Sequence, residues 1–162
     1  MTNGSDYLNY ESLNNEADDL NITIKEKRLK LRDGLCCGDR IAISNDLKTL
    51  QEKNCVLAEE LGHYHTTCGN ILDLSDIRNS KQEKRARNWA YEKLVSIVSL
   101  INAFEKGIRT RSELAEYLDV TEKFLGQAIE HYREKYGLYY IVDHYTICFE
   151  PSFVIIKMFK PI

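Results

Sequence analysis

The stretch Ala58–His65 of this 162-residue chain reads AEELGHYH and lies in a segment whose leucines have helical spacing. Glu59 and His63 are four positions apart, so one helical turn puts both side chains on the same face. A zinc peptidase helix needs two metal ligands at this spacing and a glutamate directly after the first, which takes a proton from metal-bound water. Glu60 occupies that position. The stretch predicts Glu59 and His63 as metal ligands and Glu60 as the catalytic general base.

The first ligand position departs from the usual motif, which has histidine where this chain has Glu59. A carboxylate oxygen also binds Zn²⁺, but two carboxylates beside one imidazole make a harder site, which moves the metal preference towards Mn²⁺ or Fe²⁺. Because acidic helices are common, the pattern alone is weakly specific. The alternatives are a surface ion pair between Glu59 and His63 and a solvated carboxylate at Glu60.

The segments before and after this helix alternate between short strands and helices. The expected elements are a helix at 10–20, strands at 21–25 and 40–44, the central helix from Asn45 or Thr49 to about Thr66, a loop at 67–80, and a helix at 81–105 that ends at Gly107. Gly34 and Gly38 lie between the two strands, which predicts an antiparallel pair joined by a turn. Vicinal Cys36 and Cys37 are interpreted as buried or edge-strand thiols rather than a redox pair.

The tail has a different pattern from the rest of the chain. Helical spacing at 110–118 and 121–136 is followed by a hairpin pattern at 138–142 and 145–149, an order that resembles a winged helix. The second helix carries acidic and basic side chains in similar number, which argues against direct DNA binding. We expect the tail to pack on the first half or to hold a partner protein. The DNA-binding alternative predicts salt-sensitive retention on duplex DNA.

Composition narrows the class of protein. The chain has a net charge of −3, which gives no global attraction to nucleic acid. No apolar run approaches the roughly 20 residues that cross a bilayer, so we expect no membrane segment. The N-terminus lacks the pattern of a secretory signal, and five cysteines without a CxxC pair fit a reducing cytoplasm.

Four stretches of the sequence resemble the ImmA/IrrE family of metallopeptidases, in particular members encoded by prophages and integrative elements of Gram-positive bacteria. They read RIAIS, NCVLAEELGHYHTT, GNILD and QEKRARNWA, and the resemblance spans about residues 20–155, including the tail TRSELAEYLDVT. In that family a downstream helix with the pattern ExxAxxF/WA supplies a third, carboxylate ligand. Glu83 stands at that glutamate, and Ala86 and Trp89 follow it at the matching spacing.

The resemblance implies that Glu59, His63 and Glu83 bind the metal and that Glu60 is the general base. For Glu83, the alternative is an ion pair with Arg87 at i+4. The implied fold is α+β: a zincin-like core, with a small antiparallel sheet, an active-site helix and a metal-ligand helix, and a C-terminal helix-turn-helix and hairpin module. We place these parts at residues 21–106 and 107–162, after an N-terminal segment at 1–20.

Two aromatic neighbours of the motif receive separate interpretations. Tyr64 is a candidate for stabilising an oxyanion, with ordinary packing as the alternative. His65 lies about 200° around the helix from His63, so we do not expect it to bind the metal and assign it a substrate-side or structural role.

The implied partner is a helix-turn-helix repressor of the same mobile element. Cleavage of that repressor in the bacterial cytoplasm would allow induction of the element, and the tail would act as a docking surface for the substrate or for an antirepressor. Glu59 keeps a second interpretation open, in which the chain is a pseudo-peptidase that binds the repressor or antirepressor without cutting it.

Overall fold

The computed structural model describes residues 8–67 and 77–159, and within these ranges it combines helices with two small sheets. The helices are α1 (Tyr10–Asp19), α2 (Leu50–Thr66), α3 (Ile77–Leu94), α4 (Ile97–Glu105), α5 (Arg111–Tyr117) and α6 (Glu122–Tyr136). The strands are β1 (Thr23–Lys27), β2 (Gly34–Cys37), β3 (Arg40–Ser44), β4 (Tyr139–Val142), β5 (Tyr145–Cys148) and β6 (Val154–Lys157). The α+β class is therefore confirmed. The zincin-like core, the helix-turn-helix module and the domain limits stay predictions.

The first sheet differs from the expected antiparallel pair. Its strand order is β1-β3-β2, with β1 parallel to β3 and β2 antiparallel to β3. Parallel strands need a connection that reverses the chain, and here β2 provides that reversal before β3 enters between the other two strands. The prediction was wrong because residues 35–37 were taken as part of a turn. The vicinal thiols lie on β2, which is an edge strand, as one of the two interpretations expected.

The central helix α2 begins and ends close to the predicted positions. Thr49 accepts a hydrogen bond from the backbone N–H of Glu52, and the Glu52 side chain bonds back to the Thr49 backbone, a capping box that fixes the first turn. Buried Leu57, Ala58 and Leu61 anchor the helix in the core.

Asn54 interrupts the apolar stripe of α2 and is completely buried. Its side-chain amide donates hydrogen bonds to the backbone carbonyls of Leu8, at 3.0 Å, and Asp119, at 2.9 Å. Both donors of this buried amide are satisfied, whereas its Oδ1 has no hydrogen-bond partner among the described residues. The polar residue thereby joins α2 to the segment before α1 and to the turn between α5 and α6.

The helix expected at 81–105 is two helices, α3 and α4, and its start is earlier than expected. Part of the predicted loop, residues 68–76, lies outside the described residues, but α3 already includes 77–80. The break comes at Ser96, whose hydroxyl accepts from the Ser99 backbone N–H and caps α4. The Tyr132 hydroxyl donates to the carbonyl of Val95 at 2.7 Å, so this buried carbonyl at the break is satisfied.

The C-terminal part keeps the predicted helices and hairpin and adds one strand. Helices α5 and α6 and strands β4 and β5 match the predicted segments, whereas β6 was not predicted. The second sheet has the order β4-β5-β6 and is antiparallel throughout. Buried residues of α6 and β5, among them Leu125 and Ile147, join the same apolar cluster as Leu13 and Leu61. The tail thus packs on the first half of the chain.

Within residues 8–67 and 77–159, no helix has both the length and the apolar content that crossing a bilayer requires. The cytoplasmic location stays a prediction.

Candidate active site

A cavity of about 1180 Å³ opens between α2, α3, β2 and the first turns of α6. The predicted residues Glu59, Glu60, His63, Tyr64 and Glu83 all line it. The cavity is also lined by cationic side chains from three different parts of the chain. These are Arg32, Arg87 and Lys123.

Glu60 lies at the buried side of the cavity against the edge strand β2. Its carboxylate accepts a hydrogen bond from the backbone N–H of Cys36. A methyl group at Gly34 would lie 2.7 Å from the Glu60 Cγ and 2.7 Å from the Val56 Cγ1, so only glycine lets the strand come this close. The glutamate is thereby held between α2 and β2.

Burial is the main reason why the pKa of Glu60 is raised to about 8, and the nearby carboxylates of Glu59 and Glu83 raise it further. The Arg32 guanidinium and the hydrogen bond from Cys36 act in the opposite direction. At neutral pH the side chain is therefore largely protonated unless positive charge lies beside it.

His63 and Glu83 come together across the interface of α2 and α3. The His63 Nε2 lies 3.5 Å from the Glu83 Oε1, and the buried His63 Nδ1 has no hydrogen-bond partner among the described residues. Burial lowers the pKa of His63, and Arg87 and Arg32 lower it as well, whereas Glu83 raises it. The imidazole is thus neutral at pH 7, which is the form that binds metal ions.

The interface that brings these two residues together is unusually close. A methyl group at Gly62 would lie 2.9 Å from the carbonyl carbon and 3.1 Å from the Cα of Ala86. Gly62 directly precedes His63, and Ala86 lies one helical turn after Glu83. The missing side chain at Gly62 therefore sets the spacing between the two candidate ligands.

Glu59 lines the same cavity one helical turn before His63. Burial raises its pKa, as do the carboxylates of Glu83 and Asp33, whereas the Arg87 guanidinium and the Lys123 ammonium lower it. Arg87 also pairs with Glu83, with 3.9 Å between Nη2 and Oε2. Glu83 therefore contacts both His63, its proposed partner in metal binding, and Arg87, its alternative ion-pair partner.

The donor set fits a divalent cation in its chemistry. It combines an imidazole that has an unpaired nitrogen with the half-buried carboxylates of Glu59 and Glu83, whose mutual repulsion a cation would relieve. In residues 8–67 and 77–159, however, no three His, Cys, Asp or Glu side chains converge closely enough to hold a metal ion. His63 and Glu83 form the close pair, and Glu59 is not drawn into it.

Tyr64 and His65 separate in the structure. Tyr64 lines the cavity and is partly exposed. His65 lies outside it, stacks on Trp89 with 4.8 Å between the ring centroids, and has its Nε2 3.9 Å from the Glu16 Oε1. We assigned His65 either a substrate-side or a structural role, and these contacts favour the structural one.

Several residues of the site were not identified from the sequence. Gly34 was interpreted only as a turn residue, and Arg32 and Lys123 were not connected with the site. The alternation of Leu35 and Cys36 after Gly34 was the one local indication of a strand there. The cations come from distant segments, so no spacing in the sequence relates them.

A family model described as the IrrE N-terminal-like domain, peptidase family M78, matches residues 9–130. The chain belongs to the M78 family. This confirms the ImmA/IrrE resemblance and makes the chain a metallopeptidase-like protein, for which the family implies a metal ion in general. The M78 match includes α2, α3 and most of α6, which together form most of the cavity wall. Neither the curated proteins nor the solved structures include a significant match.

Proposed function

We propose that this M78 protein is a metal-dependent endopeptidase that inactivates a helix-turn-helix repressor of a prophage or mobile element. The observation that carries the proposal is the proximity of His63 and Glu83, with 3.5 Å between Nε2 and Oε1, in a cavity that also contains Glu60. An imidazole, a carboxylate and a nearby buried glutamate are the groups that metal-assisted peptide hydrolysis requires.

In this proposal Glu59, His63 and Glu83 hold the metal ion, with Zn²⁺ first and Mn²⁺ or Fe²⁺ as alternatives because of the carboxylate-rich donor set. A bound ion would acidify water and polarise the scissile carbonyl. Glu60 accepts a proton from the attacking water and later delivers it to the amide nitrogen. The Cys36 N–H holds the Glu60 carboxylate in position. Glu60 reaches its basic form more readily when positive charge offsets the surrounding carboxylates.

The substrate class rests on the ImmA/IrrE resemblance. The repressor would enter the cavity between β2 and α6, whose opposite walls offer an edge strand and the side chains of Lys123, Phe124 and Gln127. Residues 107–162 would serve as the docking surface for the repressor or for an antirepressor. This arrangement uses the tail for protein contact rather than for DNA.

The first test is the metal content of the purified protein by elemental analysis, before and after incubation with Zn²⁺ or Mn²⁺. We expect about one ion per chain in the wild type and a loss of most of it in His63→Ala and Glu83→Ala. Glu130→Ala, which removes an exposed carboxylate from α6, is the matched control and should keep the wild-type content. A wild type that takes up no metal under either condition would rule out the catalytic proposal.

The second test separates catalysis from metal binding. Glu60→Gln should keep the metal and lose about 10²–10⁴-fold in the rate of repressor cleavage, because general base catalysis typically contributes that much. Cleavage at the wild-type rate by this variant would show that Glu60 is not the base.

A second candidate function is a pseudo-peptidase that sequesters the repressor without cutting it. It is favoured by Glu59 at the usual histidine position and by the absence of a converged three-ligand group in the described ranges. It predicts stoichiometric repressor binding that survives both a chelator and Glu60→Gln. Loss of binding in either case would exclude it.

A further inference from the structure

The outer face of the second sheet is apolar where such a face is normally polar. Antiparallel strands that cover a core on one side usually alternate between buried apolar and exposed polar residues. On the inner face here, Tyr145 and Ile147 are buried in the core. On the outer face, the register places Tyr139 opposite Cys148 and Cys148 opposite Val154. Both faces are therefore apolar, and only one of them is covered by the described part of the chain.

The outer face is continuous across all three strands. Its members share one side of the pairing register and are Tyr139, Ile141, Thr146, Cys148, Val154, Ile156 and Met158. The Met158 backbone N–H bonds to the carbonyl of His144, which extends the ladder beyond β6, and the Thr146 hydroxyl contacts the Met158 Sδ at 3.6 Å. None of the seven residues is charged.

The exposed apolar area of this face is comparable to the largest apolar patch of a typical monomer, which is often a functional surface. Its five large apolar side chains range from 41% exposed at Met158 to 56% exposed at Tyr139. These fractions amount to roughly 500 Å² of surface. The largest apolar patch of a typical monomer is about 300–600 Å².

We propose that two copies of this chain associate through the outer face of the second sheet. A standard stable interface buries about 800 Å² on each partner, of which about 65% is apolar in homodimers, so the roughly 500 Å² of this face match the apolar area that one partner contributes. The seven residues offer no charge to attract nucleic acid or a charged peptide, and they meet a second copy of themselves without like charges in contact. Exposed His144, opposite Met158, also lies on this side of the register, at the rim of the face. The pair would be isologous, with the same residues on both sides.

This association does not involve the cavity of the proposed function, but it uses part of residues 107–162, so a docked repressor would contact the remainder of that segment. No residue of the outer face lines the cavity that contains Glu60 and His63. Both cavities of the pair therefore stay accessible, and a peptidase or a sequestering protein would dimerise equally.

The test is the molar mass in solution, by light scattering after size exclusion and by sedimentation, at about 1–100 µM chain, a range that covers micromolar dissociation constants. We expect the wild type to have twice the chain mass of 18.8 kDa. Ile141→Lys and Ile156→Lys each place a charge on the same cross-strand row, on either side of Thr146, and should return the mass to that of one chain. Circular dichroism and thermal melting verify that these variants fold.

Leu31→Lys and Val98→Lys are the matched controls, because both residues are exposed, apolar and outside the second sheet. They introduce the same charge and should remain dimeric. A wild type with the mass of one chain over the whole concentration range would overturn the proposal. Folded Ile141→Lys and Ile156→Lys variants that remain dimeric would overturn it as well.

Discussion

Replacing Gly62 by alanine tests whether the close contact of α2 and α3 sets the active-site geometry. The new methyl group would meet backbone atoms of Ala86, at 2.9 Å from the carbonyl carbon, where carbon atoms normally stay about 3.5–4.0 Å apart. A backbone inside a helix has no rotamer by which to move away. The two helices must therefore separate by roughly 1 Å or distort locally.

The expected change in stability is the difference of two opposing effects. Overpacking of a core costs about 1–3 kcal/mol, whereas alanine in a helix interior is about 1 kcal/mol more favourable than glycine. Because the clash involves backbone, we expect a net loss of about 1–2 kcal/mol in the free energy of unfolding. This corresponds to a fall of about 2–8 °C in Tm for a chain of this length. Separation of the helices also moves Glu83 away from His63, so metal affinity should fall in the same variant.

Gly126→Ala is the matched control, since Gly126 also lies in a helix interior, in α6. There the three atoms nearest to the methyl group all belong to the side chain of Arg111, whose exposed end can rotate away with the loss of its hydrogen bond to the Glu122 carbonyl. We expect an unchanged or slightly higher stability. Urea unfolding followed by circular dichroism measures both variants. A Gly62→Ala protein as stable as Gly126→Ala would refute the reasoning.

Three further predictions concern the cavity. The pKa of Glu60 is raised from 4.5 to about 8, so between these pH values the folded protein keeps a proton that the unfolded chain releases. The free energy of unfolding is therefore highest at the low end of this window and falls as pH rises from about 4.5 through 8. Urea unfolding between pH 5 and 9 should show this fall in the wild type and a much smaller one in Glu60→Gln; equal slopes would contradict it. Arg87→Gln removes one of the three cations of the cavity, the one that acts on both Glu59 and His63, so calorimetry should give about tenfold tighter Zn²⁺ or Mn²⁺ binding. Arg85→Gln, on an exposed position of the same helix, should change the affinity little. Gly34→Ala pushes against the Glu60 side chain and should lower the cleavage rate at unchanged metal content; an unchanged rate would show that β2 does not position Glu60.

Local features of the sequence predicted most of the helices and the hairpin. The capping box at Thr49, the helix end at Gly137 and the turn at Asp143 act within a few residues of themselves, so they can be recognised without the rest of the fold. The break at Ser96 could not be predicted in this way, because the apolar spacing continues from α3 into α4. There a local cap and a distant hydroxyl, that of Tyr132, end one helix and begin the next.

Contacts between segments that are distant in the sequence could not be predicted from local patterns. The parallel pairing of β1 with β3 depends on the reversal by β2, which resembled a turn. For the site, the spacing of Glu59 and His63 placed two side chains on one helix face. Only the family resemblance related Glu83 to them, and the roles of these residues stay predictions.

The two hydrogen bonds of Asn54 have a consequence for how the molecule opens. One buried amide is shared by the residues before α1, by the middle of α2 and by the turn between α5 and α6. If either outer segment detaches, a buried donor loses its partner, and the penalty of about 1–3 kcal/mol falls on the segments that remain. Amide hydrogen exchange in these three regions should therefore slow and quicken together, as one cooperative unit. The segments predicted at residues 1–20, 21–106 and 107–162 would then unfold together rather than one by one.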